Sequence, residues 1–254
     1  MVRQLTKRKR PEKEDFLLKE HLKIVGKVFD EKTMVRINTL LSKGIIDAVE
    51  SPVAEGKEAS IFLAAGGKKV GNVPVILKIF RIETTYFFKR KDYMVTDPRF
   101  RKTKGGTYEI IKEWCKREYS NLKIANASGV HCPKPLSFNG NILIMELIKD
   151  DEKIAPTLKG SKLDEPEKCL KNILDDIRKM YVAGIVHSDI SEYNILMSNG
   201  VPHLIDFGQA IFKDNPNANR FLARDIQNII RYFELTYGIH EDANKVYENI
   251  LEYE

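Results

Sequence analysis

The stretch Val186-His187-Ser188-Asp189-Ile190-Ser191-Glu192-Tyr193-Asn194-Ile195-Leu196, followed by Ile205-Asp206-Phe207-Gly208, decides how the rest of the chain is read. Two carboxylates and one amide, Asp189, Asn194 and Asp206, fall in a loop, strand, loop order. Groups that offer only oxygen suit a hard, octahedral Mg2+ shared with phosphates. A lone His-x-Asp is more often a turn or a helix cap, because Asp and Ser close both. Here Asn194 and the Asp206-Phe207-Gly208 triplet follow in order, which makes coincidence a poor account. Between the loops, Ile195-Leu196-Met197 and Val201 to Ile205 read as a hairpin-like pair of short strands joined at Ser198-Asn199-Gly200.

Upstream, Asp164-x-Pro166-Glu167 reads as a helix start with a capping-box pattern. Leu170, Ile173, Leu174, Ile177, Met180 and Tyr181 supply an apolar stripe that Gly184 stops, so this helix delivers the chain to His187. Downstream, Phe221, Leu222, Ile226, Ile229, Ile230 and Phe233 mark another amphipathic helix, with Asp225 on its inner face. Asp225 is either a local cap or ion pair with Arg224, or an anchor for the backbone of the Asp189 loop.

The first half of the chain has a different rhythm. Two weak helical patterns run from Phe16 to Leu41, and Val49 to Ala65 reads as strand, tight turn and strand around Gly56-Lys57-Glu58-Ala59. This is no Walker A loop, since Glu58 stands where a Ser or Thr should follow Lys57. Val73 to Phe80 alternates as a strand but carries the charge of Lys78. That lysine either guards a sheet edge or pairs with a buried carboxylate. A carboxylate is available: Tyr108 to Ala125 reads as a helix whose apolar stripe of Ile111, Trp114, Cys115, Leu122 and Ala125 also contains Glu118. A buried Glu needs a cation, so the two anomalies explain each other. The long charged segment Ile82 to Thr107 is expected to be mobile. Beyond the helix, Leu136 to Phe138 and Asn141 to Leu147 read as strands around an Asn139-Gly140 turn.

With 254 residues, 43% of them hydrophobic, the chain can bury a full core. Its longest apolar runs are strand-length, far short of the roughly 20 residues of a membrane span, and the N-terminus does not read as a signal peptide. Three cysteines without a CxxC argue against a zinc site or disulfide framework, which makes a cytoplasmic setting the simplest. The net charge is +6, with basic clusters at Arg3 to Arg10 and Lys89 to Lys104. These fit a solvated surface or a footprint for a phosphate-rich partner such as RNA.

Asp-x4-Asn followed by Asp-Phe-Gly is the protein-kinase spacing, in which the first Asp receives the substrate's hydroxyl proton while Asn and the second Asp hold metal. With Gly56-Lys57-Glu58-Ala59, Lys78-Ile79-Phe80-Arg81-Ile82-Glu83-Thr84 and Met145-Glu146, the whole resembles the type-one branch of the RIO family of atypical protein kinases. The resemblance implies an α+β, bilobal kinase-like fold. Residues 1–48 would be a tail and helical extension, 49–147 a small β-rich lobe, and 148–254 a truncated, mainly helical lobe. It implies ATP with Mg2+ or Mn2+ as cofactors, and activity as a Ser/Thr kinase, ATPase and self-phosphorylating enzyme, with Thr103 and Thr107 as candidate sites. Its partners would be the maturing small ribosomal subunit with its RNA and an unknown protein substrate, but no membrane.

On this resemblance Asp189, Asp206 and Lys78 are catalytic, and Asn194 and Asp206 bind metal. Gly56, Lys57, Glu58, Ala59, Lys78, Glu118 and the backbone of Glu146 and Ile148 hold the nucleotide. Ala54-Glu55 replaces the family's frequent Ser-Thr and Ser188 replaces the Arg of His-Arg-Asp, so neither a hydroxyl contact to phosphate nor an Arg clamp is expected. The absence of Ala-Pro-Glu after Asp206 implies no peptide-docking region. Two other readings remain: a non-catalytic, ATP-binding assembly factor, and a small-molecule phosphotransferase.

Overall fold

The computed structural model describes residues 29–82 and 106–252. The first helical pattern, most of Ile82 to Thr107 and both basic clusters lie outside the described residues.

Alternation of apolar side chains builds a five-stranded antiparallel sheet of β1 (Ile46–Glu55), β2 (Ala59–Gly66), β3 (Pro74–Phe80), β4 (Pro135–Asn139) and β5 (Ile142–Glu146), in the order β1-β2-β3-β5-β4. Because side chains point alternately to opposite faces, Val75, Leu77 and Ile79 of β3 join Phe62, Ala64, Ile142 and Ile144 on one face. Helix α1 (Glu31–Ser42) covers that face with Ile37 and Leu40. Phe80 and Leu143 face the other way, against helix α2 (Thr107–Ala127) and its Ile111, Trp114, Cys115 and Leu122. Lys78 shares this second face, which is why a lysine inside an apolar strand ends up beside a helix. Val73 lies outside the strand and is half exposed.

Two differences from expectation are local. The β4–β5 register pairs Asn139 with Ile142, so the turn is Gly140-Asn141, one residue later than the Asn-Gly pattern suggests. Only Gly140 takes a positive φ there, and Asn141 is buried, donating to Thr33 Oγ1 and Phe80 O. Helix α3 (Pro166–Val182) is capped at Glu165, without a side-chain bond, so the capping box at Asp164 does not form. Pro166 at the first turn needs no N–H partner there and starts the helix instead.

The C-terminal half is helical: α3, α4 (Ala218–Tyr237) and α5 (Ala243–Leu251) share one apolar cluster with the sheet-side face of α2. Three small pairings are threaded among them. After a β6 (Lys149–Asp150) and β7 (Lys153–Ile154) pair, β8 (Ile185–Val186) pairs with β11 (Ile211–Phe212) and β9 (Ile195–Ser198) with β10 (Val201–Leu204). Asn199 and Gly200 both adopt positive φ in the β9–β10 turn, the geometry a two-residue hairpin demands. All three cysteines are buried and free, and no described helix is long and apolar enough to cross a membrane.

Candidate active site

The two loops are held at both ends by those short pairings. β8 ends just before His187 and β11 begins just after Ala210, while β9 starts after Asn194 and β10 ends before Ile205. Ile205 N–H donates to Asn194 O at 2.9 Å, and a 3.1 Å contact joins His187 Nε2 to Ile205 O, closing the gap between them. Asp225 is the backbone anchor: its carboxylate accepts from Ser188 N at 2.7 Å and Ile190 N at 3.1 Å. Arg224 donates to Ser188 O. Ser188 and Asp206 both sit at positive φ, strained for side-chain-bearing residues.

Every site residue picked out above lines a single cleft of about 710 Å3. The β1–β2 tip contributes Gly56, Lys57, Glu58 and Ala59, and β3 and α2 contribute Lys78 and Glu118. Glu146 and Ile148 come from the connection after β5, and Asp189, Asn194 and Asp206 from the two loops. Arg81 fastens the tip by an ion pair with Glu55 and a backbone bond to Glu58 O.

At the centre, Lys78 Nζ lies 2.8 Å from Glu118 Oε1 and 2.8 Å from Asp206 Oδ1. Burial pulls the Lys78 ammonium down, but Asp206 and Glu118 outweigh it and hold its pKa above the ordinary lysine range. Of the two carboxylates, buried Glu118 is pushed up to about 7 by desolvation, against the pull of Lys78. Enclosure also presses Asp206 upward, yet the Lys78 charge and hydrogen bond leave it below its usual value. Lys78 thus favours the ionised form of both carboxylates, and burial opposes it most strongly at Glu118. Among the described residues, Glu118 Oε2 has no hydrogen-bond partner, so Lys78 is bonded to the Oε1 side of the carboxylate alone.

Asn194 Nδ2 donates to Asp189 O at 2.8 Å, which fixes the amide's orientation and leaves Oδ1 as its acceptor. That oxygen and the Asp206 carboxylate, 44% exposed, form an oxygen-only set that suits a hard cation. His187 lies edge-on to Phe207, ring centroids 4.7 Å apart, and burial lowers its pKa to about 4.

Three contributors escaped the sequence reading. Gln209 Nε2 donates to Asp189 Oδ2 at 3.1 Å. From α2, Asn121 Nδ2 donates to Phe207 O and Ala210 O, and Arg117 donates to Ala210 O at 2.9 Å. The only signal for Arg117 and Asn121 was their place, polar residues beside Glu118 on a helix face otherwise apolar. Gly208 is closely packed: a Cβ there would approach Trp114 Nε1 to 3.0 Å and Glu118 Oε2 to 3.1 Å, and both side chains would have to give by a few tenths of an ångström.

The family described as the RIO domain matches residues 60–246. The RIO-type serine/threonine-protein kinase Rio1 of Haloferax volcanii is 34% identical over 229 residues, covering 90% of this chain and 78% of that protein. Its counterpart from Thermoplasma acidophilum is 38% identical over 190 residues, covering 75% of this chain and 98% of its own. In structure, the Rio2 kinase-ADP/Mg2+-phosphoaspartate complex from Chaetomium thermophilum superposes with a TM-score of 0.65 at 20% identity. The match covers 84% of this chain and 64% of that one, and speaks for the kinase-like α+β fold alone.

Proposed function

The chain belongs to the RIO domain family, in its Rio1-type branch of atypical serine/threonine kinases, and from that membership we propose that its cleft moves the γ-phosphoryl group of ATP, bound with Mg2+, to a hydroxyl or to water. The observation that carries the residue roles is Lys78 Nζ at 2.8 Å from both Glu118 and Asp206. A cation so placed holds phosphate oxygens, Glu118 orients it, and Asp206 with Asn194 presents oxygen to metal. When bound, the metal neutralises charge developing on the transferred phosphoryl group. Asp189 takes the proton of the attacking hydroxyl, its carboxylate rotation set by Gln209. The backbone of Glu146 and Ile148 holds adenine, and the Gly56 to Ala59 tip closes over the phosphates. In this reading residues 49–147 act as the nucleotide-side lobe and 148–254 as the catalytic-loop lobe.

We infer an added step at Asp206, whose carboxylate lines the cleft beside Lys78, in keeping with the chain's membership of the RIO family. One of its carboxylate oxygens bonds to the γ-phosphorus as the bond to the β–γ bridging oxygen breaks and ADP departs. Water then hydrolyses the acyl phosphate. ATP hydrolysis would on this view act as a release switch on maturing small ribosomal subunits in the cytoplasm, with self-phosphorylation as a side reaction. The basic clusters at Arg3 to Arg10 and Lys89 to Lys104 support the RNA-rich partner.

Mg2+-dependent turnover of γ-labelled ATP, with and without small-subunit precursor particles, tests this reading. Turnover that the particles change supports it. Nucleotide binding without any turnover would favour a non-catalytic assembly factor. Binding to the particles should weaken steeply with salt, and affinity that ignores ionic strength would remove the phosphate-backbone footprint.

A further inference from the structure

Helix α2 carries Glu118, and its cap, Gly106, has no side chain with which to close the first turn. A tertiary contact takes over. Arg36 of α1 donates from Nε to Tyr108 Oη at 3.1 Å, and Lys32 Nζ, one turn earlier, lies 4.8 Å from the Tyr108 ring centroid. Tyr108 stands in the first turn of α2, so two cations of α1 grip the end of the helix that sets Glu118.

The contact crosses the sheet edge, because α1 and α2 cover opposite faces. It passes over the β4–β5 turn, where Gly140 at φ 64° leaves the opening: a Cβ at that position would come within 2.9 Å of Tyr108 Oη and 3.1 Å of Arg36 Nε. The same turn is bonded to α1 on either side of Gly140. Asn139 Nδ2 donates to Arg36 O at 3.3 Å, and buried Asn141 donates to Thr33 Oγ1 at 2.8 Å. Thr33 is bonded in turn to the α1 cap, Asp30. Asn141 also donates to Phe80 O, two residues beyond Lys78 on β3. Thus α1 is bonded both to the start of the Glu118 helix and, through Asn141, to the strand of Lys78.

We propose that Arg36 and Tyr108 are positioning residues, a staple through which α1 sets the register of α2 so that Glu118 meets Lys78. The inference rests on the assignment of Lys78 and Glu118 as the working pair. Neither staple residue lines the cleft. Their effect on phosphoryl transfer therefore passes through Glu118, and it disappears once Glu118 can no longer pair as a carboxylate.

A double-mutant cycle on the full chain tests this. Tyr108→Phe, which keeps the ring for Lys32 and removes only the hydroxyl, and Arg36→Leu are each made alone and combined with Glu118→Gln. Each staple variant alone should lose roughly five- to tenfold in kcat, the scale of coupling between interacting residues. Its thermal midpoint should stay within about 3 °C of wild type. In the Glu118→Gln background neither should cost anything further. Unchanged kcat in both single variants, or losses that multiply fully with that of Glu118→Gln, would overturn the staple. If Glu118→Gln itself were fully active, the working pair and the staple acting through it would both fall. Active-site failure thus shows in Glu118→Gln, and staple failure shows in the other two variants.

Discussion

Lys78 Nζ donates to Asp206 Oδ1 across 2.8 Å, joining the sheet to the Phe207-Gly208 turn over 128 residues of sequence. A cation at Asp206 must compete with that bond, so Asp206 and Asp189 should fail in different ways when removed. Asp206→Ala should lose metal-dependent nucleotide binding together with transfer. Asp189→Ala should abolish transfer yet bind nucleotide with near wild-type affinity. Calorimetric titration with and without Mg2+ separates them, and equal binding losses in both variants would refute the division of roles.

The added step at Asp206 has its own signature. Wild-type protein incubated with γ-labelled ATP should carry an acid-stable, hydroxylamine-sensitive phosphate. If Asp206→Asn retains that label unchanged, Asp206 is not the residue that carries it.

Gln209 reaches Asp189 but no nucleotide-side group is needed for that contact. Gln209→Leu should therefore lower kcat by about tenfold, the loss expected when a base is left to rotate, and leave KM for ATP nearly unchanged. A large rise in KM with constant kcat would instead make Gln209 a nucleotide-binding residue.

Buried His187 gives a pH signature. Its folded pKa of about 4 lies below its ordinary 6.5, so its neutral form stabilises the fold above pH 6.5. That contribution is lost as pH falls from 6.5 through 4, by up to about 3 kcal/mol at roughly 1.4 kcal/mol per pKa unit. Glu118 and Asp225, both raised to about 7 by burial, slope the opposite way as pH rises from the ordinary carboxylate range to about 7. The comparison must therefore be a difference. Denaturant midpoints should show His187→Asn destabilised at pH 7, with the gap to wild type narrowing toward pH 4.5. A gap that stays constant would exclude this titration.

That Asp189, Asn194 and Asp206 would meet in one cleft was legible because they are compressed into short spacings. Asp189, Asn194 and Asp206 lie on loops whose ends are closed by local strands, and the Asn199-Gly200 turn announces one of them. Lys78 and Glu118 were legible for another reason: each is a charge on an apolar stripe, and burial makes such charges seek each other. Gln209 carries no periodic signal, and Asn121 and Arg117 show only as polar residues on an apolar helix face, with backbone carbonyls for partners that no sequence pattern marks. The cap of α3 went to Glu165 because Pro166 starts a helix without a side-chain bond. The β4–β5 turn slipped by one residue because Asn141 was needed in the interior, where tertiary hydrogen bonds outrank the Asn-Gly preference.

The central claim is that the Lys78 ammonium, shared between Glu118 and Asp206, carries phosphoryl transfer in this cleft. Steady-state turnover of γ-labelled ATP at saturating Mg2+, measured side by side for wild type and Lys78→Ala, tests it most directly. Preorganised charge of this kind contributes roughly 100- to 1000-fold in kcat, so Lys78→Ala should fall by at least that much. Near-normal turnover in Lys78→Ala would contradict the account.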